Sequence, residues 1–463
     1  MGQRQEELLK RIQKLVRQNQ DLIDKNEKLQ KAIHELSEQN EMMKQRMKEE
    51  NIVLKEGEIP ELEERVKKYK MVTVLFAYIG GFKYLTDEDE SEAIMDQLDE
   101  VLIEFDRILK KYKIHKIKTI GDTYMAAGGI PVKNITNPID VVMAAYEMNL
   151  FLDQLQKGEK RQFWSISLGI HTGPVTAALS GKKKITYDIK GDTVNIAHRM
   201  QGIGDKGKIL ISVMTYELIK EFFVCEYYGK MPVKYKGDLE MFVVSGIRPE
   251  FSAEGKGRIP NGLFDTKFKL IQFTDIQELI LDKLENELPA YLYYHNVKHT
   301  VDVVTEVELI GWAEGLDDDG ILLLKTAALF HDAGHTISYD EHEHYGSQLA
   351  RRILPGYGYS EEQIERICEI IMATKLPPDP KDIYQQIICD ADLDYLGRSD
   401  MIPVSNTLYR ELKEQDKIGT LNDWNRLQLK FISGHSYFTK TARSLREVNK
   451  QKQIERIRKL ITD

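Results

Sequence analysis

The first 58 residues follow a seven-residue repeat, which constrains the fold more than any other feature of the chain. Leucine or methionine recurs at Leu8, Leu15, Leu22, Leu29, Leu36 and Met43. A second set, most of it three residues before a member of the first, consists of Ile12, Asn19, Asn26, Ile33, Asn40 and Met47. Leucine at position d with isoleucine at some a positions favours two parallel strands, and asparagine at a fixes their register. The repeat therefore predicts a parallel, dimeric coiled coil over residues 1–58; a single solvated helix is the alternative.

Composition and charge narrow the class of protein. The chain has 463 residues, and its 65 Lys and Arg against 74 Asp and Glu give a net charge of −9. Such an acidic chain lacks the basic surface of a general nucleic-acid binder. The cysteines have no motif spacing, which is typical of a reducing compartment, and no apolar run reaches the length of a membrane-spanning helix. We therefore expect a cytoplasmic, multidomain protein with no nucleic-acid partner and no membrane segment.

Residues 69–247 show the alternation of strands and helices that is typical of an α+β domain. The run MVTVLFAY at 71–78 predicts a buried strand, and Gly121 with Asp122 predicts a turn between two further strands. Five motifs occur in order: VTVLFAYIGGF, KIKTIGDTYMAAGGIP, GIHTGPVTAALSG, ITYDIKGDTVNIAHRM and VKYKGDL. With these motifs the region resembles the catalytic domain of the class III adenylate and guanylate cyclases, and the resemblance implies a ferredoxin-like α+β fold.

The resemblance also implies a nucleotide site that is shared between two subunits. Asp122 matches one of two aspartates that hold metal ions at the triphosphate, and Lys118 and Asp188 match the pair that reads adenine. A lysine donor and an aspartate acceptor complement N1 and N6 of adenine, whereas guanine presents the reverse polarity. The residues that match the transition-state and phosphate contacts of the family are Asn195, Arg199 and either Lys234 or Lys236.

One residue departs from the family pattern. The first metal-binding aspartate is expected where this chain has Tyr78, and a neutral phenol is a poor ligand for Mg²⁺ or Mn²⁺. Two-metal catalysis uses one ion for the nucleophile and the other for the leaving group. We therefore expect a pseudo-cyclase domain that binds ATP with Mg²⁺ as a regulatory ligand. A slow but genuine adenylate cyclase and a purely structural dimerisation domain are the alternatives.

A linker containing glycine and proline, at 248–263, precedes a helical region at 264–463. Six of the 11 histidines lie between His295 and His344, in the motifs YHNVKHT, HDAGH and HEH, and DADLD follows. Histidine pairs spaced i,i+4, such as His295 with His299, are expected on one helix face. Imidazole and carboxylate groups without cysteine suit Zn²⁺, Mn²⁺, Fe²⁺ or Mg²⁺, so the motifs predict a metal site in an all-α domain.

These motifs resemble the HD superfamily of metal-dependent phosphohydrolases. The H…HD…D signature of that superfamily maps to His299, His331, Asp332 and Asp392. The run YHNVKHTVDV looks most like the class I cyclic-nucleotide phosphodiesterases, in which the first histidine, here His295, is the general acid. The resemblance implies two divalent ions with Asp332 between them. Candidates for the second ion or its surroundings are His335, His342 and His344.

Two further residues bear on the substrate. Gln428 and Phe431 match a purine clamp of the phosphodiesterases, although an ordinary i,i+3 helix pair is the simpler interpretation. The sequence thus predicts a dimeric phosphodiesterase that converts cAMP to 5′-AMP and is regulated by ATP. One alternative is an active adenylate cyclase whose HD domain acts on another substrate, such as a nucleotide phosphate or a linear phosphodiester. The other is a dimeric scaffold that only binds nucleotides.

Overall fold

A computed structural model describes residues 66–80, 88–158, 165–180, 186–233 and 237–462. The coiled coil predicted over residues 1–58 lies outside these ranges, and so do Lys234 and Lys236. The described residues belong to one compact unit, which begins at Glu64. None of their helices combines the length and the apolar character that crossing a membrane requires.

Within the described residues, a mixed eight-stranded sheet forms the first half of this unit. Its strands are β1 (Val66–Gly80), β2 (His115–Ile120), β3 (Thr123–Gly128), β4 (Ser165–Ser180), β5 (Thr186–Lys190), β6 (Ile209–Ser212), β7 (Phe223–Val233) and β8 (Gly237–Ile247). Their order across the sheet is β2-β3-β1-β4-β6-β8-β7, with β5 paired to β4. β4 and β6 are parallel and the other pairs are antiparallel. The strand and the turn predicted at 71–78 and 121–122 are confirmed.

Helices cover both faces of this sheet. They are α1 (Glu88–Lys111), α2 (Asn137–Gly158), α3 (Asp192–Ile203) and α4 (Val213–Ile219). On one face, Leu75 of β1 belongs to the same core as Phe105 of α1. On the other face, Val74 shares a core with Ala197 of α3. Successive residues of a strand point to opposite faces, so the continuous apolar run of β1 indicates a strand that is buried on both sides.

The second half of the unit is helical throughout its described residues. Its helices are α5 (Gly262–Glu287), α6 (Val297–Ala313), α7 (Asp318–Phe330), α8 (His342–Ile353), α9 (Glu361–Met372), α10 (Ile383–Asp392), α11 (Met401–Glu414), α12 (Leu421–Gly434) and α13 (Lys440–Leu460). Helices α5 to α10 share one apolar core, to which Phe330 and Ile388 contribute. The predicted division into an α+β half and a helical half is confirmed.

Residues 248–263, which the sequence predicts as a linker, have a defined structure. They contain two 3-10 turns, Pro249–Phe251 and Ala253–Gly255. The Asn261 side chain then accepts a hydrogen bond from Phe264 N at 3.1 Å, which caps the first turn of α5. The Gly257 carbonyl accepts from Ile247 N at 2.9 Å, and its positive φ of 70° is one that glycine adopts without strain. The glycine in this segment therefore serves a tight turn.

Candidate metal centre and nucleotide site

The first histidine motif lies at the start of α6. The Asn296 side chain accepts hydrogen bonds from the backbone N–H groups of Lys298 and His299, at 2.9 and 3.2 Å, and caps the helix. The helix therefore begins at Val297, and His295 lies before its first turn. The prediction that His295 and His299 share a helix face is wrong, because the helix boundary falls between them.

The HD motif lies where α7 ends. The last residue of this helix is Phe330, so His331 and Asp332 follow its final turn, and His335 belongs to the 3-10 turn that comes next. The Nδ1–H group of His331 donates a hydrogen bond to Ala328 O at 2.7 Å. This bond fixes the tautomer and leaves the Nε2 atom of His331 available as a metal ligand.

The first cluster consists of His299, His331, Asp332 and Asp392, the last residue of α10. The Nε2 atom of His299 lies 3.1 Å from Asp392 Oδ1 and 3.3 Å from Asp332 Oδ2. It lies 3.4 Å from His331 Nε2, which is itself 3.3 Å from Asp332 Oδ2. Ligands about 2.0–2.2 Å from one Zn²⁺-sized ion lie roughly 3.0–3.5 Å from one another. These separations therefore fit the ligand shell of a single divalent ion.

A second cluster surrounds the other oxygen of Asp332. Its Oδ1 atom lies 3.6 Å from His342 Nε2 and 3.8 Å from His335 Nε2. His295, Asp332 and His335 offer ligand atoms within 4.8 Å of one another. The Nδ1–H group of His342 donates to Tyr339 O at 3.0 Å, which again leaves Nε2 for a ligand. Because each oxygen of Asp332 faces a different cluster, this carboxylate is placed to bridge two ions.

Asp332 and His335 hold the charge states that metal binding requires. Burial alone would raise the pKa of Asp332, but the neighbouring histidines, His331 foremost, outweigh it and hold that pKa well below its usual range. Burial lowers the pKa of His335 to about 2, so its imidazole is neutral. Asp332 Oδ2 and both ring nitrogens of His335 are buried and have no hydrogen-bond partner among the described residues. Buried polar atoms normally have partners, so these atoms fit a bound cation.

Glu411, on α11, orients His295 and was not predicted from the sequence. Its fully buried side chain accepts a hydrogen bond from His295 Nδ1 at 2.5 Å, and also accepts the backbone N–H groups of Tyr294 and His295. Burial alone would lower the pKa of His295, but the bond to Glu411 and the charge of Asp332 outweigh it and raise that pKa. The Nδ1–H bond to Glu411 leaves Nε2 of His295 for the second cluster.

A cavity of about 290 Å³ opens beside the first cluster, close to the lower end of the size range of small-molecule sites. The residues that line it include Tyr294, His299, Asp392, Tyr395 and Arg398. Three tyrosine rings, that of Tyr293 included, and one guanidinium group thus lie next to the carboxylate and imidazole ligands. If a phosphate ester bound at the clusters, this cavity would accommodate the rest of the molecule.

Three predicted site residues lie away from the clusters. His344 is exposed on α8, with its Nε2 atom 2.8 Å from the side-chain nitrogen of Gln348. Because His342 and His344 are two residues apart on one helix, only one of them can face the clusters. Gln428 is buried on the inner face of α12, whereas Phe431 is 37% exposed, and neither lines the cavity. The helix-pair interpretation describes their placement better than a purine clamp does.

In the cyclase-like half, Tyr78 lies near Asp122, the residue that matches a metal-binding aspartate of the family. Tyr78 on β1 pairs with Thr123 on β3, next to the turn that contains Asp122. Burial raises the pKa of the Tyr78 hydroxyl group, and the charge of the nearby Asp122 carboxylate raises it further. A neutral phenol therefore lies near Asp122 where the family pattern has a second carboxylate.

The residues predicted to read adenine lie together within one chain. Lys118 Nζ on β2 lies 3.1 Å from Asp188 Oδ1 on β5, and both side chains are partly exposed. Asn195 and Arg199 lie one turn apart on the exposed face of α3. This surface thus presents a donor, an acceptor and a cation that a nucleotide or a second chain could contact.

Comparisons with known families divide the chain in the same way. The profile of the family described as the adenylate and guanylate cyclase catalytic domain matches residues 64–246, and the profile of the HD domain matches residues 296–394. The chain therefore contains a class III cyclase catalytic domain followed by an HD domain. Domains of the first kind bind nucleotides such as ATP or GTP, and an HD domain implies binding of divalent metal ions.

The homologues of the first domain are guanylate and adenylate cyclases. It is 33% identical over 197 residues to the receptor-type guanylate cyclase gcy-8 of Caenorhabditis elegans, which is 42% of this chain and 17% of that protein. It is 31% identical over 179 residues to an adenylate cyclase of Mycobacterium bovis, which is 39% of this chain and 40% of that protein. The catalytic core of a rhodopsin-guanylyl cyclase in complex with ATPαS is 33% identical, with a TM-score of 0.35, over 39% of this chain and 97% of that chain. The chain spans less than half the length of these two curated relatives.

Proposed function

We propose that this chain is a metal-dependent 3′,5′-cyclic-nucleotide phosphodiesterase that converts cAMP to 5′-AMP and is regulated by ATP at a degenerate cyclase domain. The observation that carries this proposal is the environment of Asp332, whose two oxygens face two histidine clusters at 3.3 to 3.8 Å. In the cyclase domain, by contrast, the side chain of β1 next to Asp122 is the neutral phenol of Tyr78. These two environments favour hydrolysis in one domain and binding without efficient cyclisation in the other.

The donor set fits two divalent ions. The first would be held by His299, His331 and Asp392, the second by His335 and His342, with Asp332 shared between them. Ions bound there would supply Lewis-acid activation of a water molecule and of the phosphate. The ligands are imidazole nitrogens and carboxylate oxygens, so Mn²⁺, Fe²⁺, Zn²⁺ and Mg²⁺ are all compatible with the site.

His295 is the proposed general acid. The oxygen of water attacks phosphorus, the bond between phosphorus and O3′ breaks, and His295 gives its proton to O3′. The attacking water releases one proton to solvent as its oxygen bonds to phosphorus, and His295 regains one proton from solvent, so cAMP and water give 5′-AMP and the enzyme is regenerated. Glu411 acts as a positioning residue, because its carboxylate accepts the Nδ1–H group of His295 and turns Nε2 toward the reacting phosphate.

The proposed regulatory site lies on the cyclase domain. Lys118 and Asp188 supply a donor and an acceptor for adenine, and Asn195 and Arg199 supply polar groups for the rest of the nucleotide. A parallel dimer formed through the predicted coiled coil at 1–58 would place this surface against a second chain. Lys234 or Lys236 would contact the phosphates, as the family pattern implies.

A second candidate function is adenylate cyclase activity, with an HD domain that acts on another phosphate ester. The named relatives of the first domain favour it, because they are guanylate and adenylate cyclases. This candidate requires that Asp122 bind metal ions although Tyr78, and not a second carboxylate, lies beside it. Removal of a ligand carboxylate is expected to cost more than the ~10–100-fold typical of outer-sphere changes, which is why it ranks second.

The test is an incubation of the purified full chain with Mn²⁺ and cAMP, with and without ATP, followed by chromatography of the nucleotides. We expect 5′-AMP to form, to disappear when EDTA removes the metal, and to form at a different rate when ATP is added. A parallel incubation with cGMP measures base preference. If no AMP forms from either cyclic nucleotide, the proposed hydrolase activity is wrong.

A further inference from the structure

One helix, α5, contributes to the cores of both domains. Near its start, the ring of Phe264 lies 4.9 Å from that of Phe222 in the core of the cyclase domain. Further along, its buried residues from Phe273 to Leu284 belong to the core of the helical domain. The helix contains no proline and no internal glycine, which are common causes of kinks. It is therefore a stiff connection between the two domains.

Asp275, in the middle of α5, binds this helix to the cyclase domain. Both of its carboxylate oxygens accept the backbone N–H group of Ile135, at 2.9 and 3.2 Å. Ile135 lies in the loop between β3 and α2. This loop is anchored to the sheet, because Thr73 on β1 donates a hydrogen bond to Asn137 Oδ1 at 2.6 Å. Asp275 thus connects α5, through this loop, to β1 and β3, the strands whose other ends lie next to Asp122.

Lys113 makes a second contact between the domains. Its Nζ atom donates a hydrogen bond to Gly356 O at 2.5 Å. Lys113 lies just before β2, the strand that carries Lys118, and Gly356 lies just after α8, the helix that begins with His342. The contact therefore joins an element of the nucleotide site to an element of the metal clusters.

Helix α5 also packs against an element that carries a residue of the metal clusters. It packs against the 3-10 turn Ala333–Thr336, which contains His335. A shift of α5 relative to the helical core would therefore displace this turn. Since the ligand atoms of the second cluster are 3.6 and 3.8 Å from Asp332 Oδ1, a small displacement is enough to change the coordination geometry.

We propose that the bond between Asp275 and Ile135 N–H, together with that between Lys113 and Gly356, couples nucleotide binding in the cyclase domain to the metal centre. This inference rests on the proposed function. Coupling of this kind requires two states that bind the nucleotide differently, and the contacts at Asp275 and Lys113 are where such states would differ. Loss of either contact should remove the effect of one site on the other. It should leave each site intact, because neither residue belongs to the clusters or to the adenine-reading pair.

The variant Asp275→Ala in the full chain tests this coupling. Allosteric coupling is typically worth about 5- to 150-fold, so we expect the ATP effect on cAMP hydrolysis to fall by at least about fivefold, with the rate without ATP and the ATP affinity changed by less than about twofold. Glu278→Ala is the matched control, since it removes an exposed acidic side chain one turn further along α5. Asp275→Asn retains an oxygen that can accept the Ile135 N–H group, and we expect it to keep most of the ATP effect.

The outcomes separate this inference from the proposed function. If the wild-type chain responds to ATP and Asp275→Ala responds equally, the inference is overturned. If the wild-type chain hydrolyses cAMP without any response to ATP, the proposed regulation itself fails. Amide hydrogen exchange in residues 333–357 provides a readout independent of turnover: ATP should change it in the wild type and not in the variant. If Asp275→Ala does not fold, Lys113→Ala, an exposed side chain, serves the same test.

Discussion

The metal clusters of the HD domain and the nucleotide site of the cyclase domain each contain an aspartate that its family uses for metal ions, but the neighbours of the two aspartates differ. Asp332 is surrounded by imidazole nitrogens, and one of its oxygens has no hydrogen-bond donor among the described residues. Asp122 instead lies near the neutral phenol of Tyr78. The surroundings of a carboxylate, more than its presence, therefore decide whether it can hold an ion.

The two sites also differ in burial and in the support of their side chains. In the HD domain, His331 and His342 each donate Nδ1–H to a backbone carbonyl, and Glu411 supports His295. In the cyclase domain, the side chains of Lys118 and Asp188 are 44% and 42% exposed. Catalytic groups gain from fixed orientation, whereas a binding site can remain open to solvent. This difference agrees with hydrolysis in one domain and sensing in the other.

The largest effect is expected from Asp332→Ala, which removes the carboxylate between the clusters. Outer-sphere changes at metal sites cost ~10–100-fold, so loss of this shared ligand should lower cAMP hydrolysis by more than about 1,000-fold and reduce bound metal. Metal analysis and kinetics measure both. His344→Ala, an exposed histidine on the neighbouring helix, is the control and should keep normal activity. Substantial turnover by Asp332→Ala would remove the basis of the metal-site assignment.

Tyr78→Asp tests whether the cyclase domain is silent because of this one residue. The variant restores a second carboxylate beside Asp122, and we expect cAMP formation from ATP and Mn²⁺ to rise by roughly 100-fold or more, since hard divalent ions require such ligands. Tyr78→Phe removes the hydroxyl group without adding a carboxylate, so it should leave cyclase activity at the wild-type level. Equal activity of wild type and Tyr78→Asp would contradict this explanation.

A smaller loss is expected for Glu411→Gln. The amide cannot stabilise the His295 imidazolium as the carboxylate does, and a general acid contributes about 100- to 10,000-fold, so we expect kcat to fall by roughly 10- to 100-fold. The kcat of this variant for a nitrophenyl phosphodiester, whose leaving group needs no proton, should fall much less. Glu414→Gln, an exposed residue of α11 that accepts from Tyr293 OH, is the control. A loss of equal size for both substrates would point to a structural role for Glu411.

The smallest effect is expected at the adenine-reading pair. Lys118→Ala removes one hydrogen bond from a charged, partly exposed donor, which corresponds to about a tenfold weaker affinity for ATP. Hydrolysis of cAMP without ATP should not change. Lys116→Ala, on the same strand, is the control because its side chain binds Asp106. If the affinity for ATP is unchanged in Lys118→Ala, ATP does not bind at this pair of residues.

The sequence predicted the division into two domains and the site residues that lie within short motifs. The apolar run of β1 indicated a buried strand, and the HD motif placed His331 and Asp332 beside His299. Which of His342 and His344 turns inward depends on where α8 begins, and the motif alone does not contain that information.

Glu411 could not be predicted, for a different reason. It lies 116 residues from His295, and its helix reads as an ordinary charged surface helix. Only tertiary packing distinguishes it from Glu414, which lies one turn away and is exposed. The interdomain contact of Asp275 is hidden in the same way, because its partner is a backbone N–H group that carries no sequence signal. The coiled coil and the dimer remain predictions.

The most direct test of the central claim follows both reactions in one mixture. The full chain is incubated with Mn²⁺, isotopically labelled cAMP and unlabelled ATP, and the nucleotides are resolved by mass spectrometry. Labelled AMP reports hydrolysis in the HD domain, and unlabelled cAMP reports cyclisation in the cyclase domain. We expect labelled AMP to accumulate, while unlabelled cAMP and the unlabelled AMP that its hydrolysis would give both stay at the level of an enzyme-free control. Formation of unlabelled cAMP without labelled AMP would contradict the proposed function and would indicate that the cyclase domain is the active one.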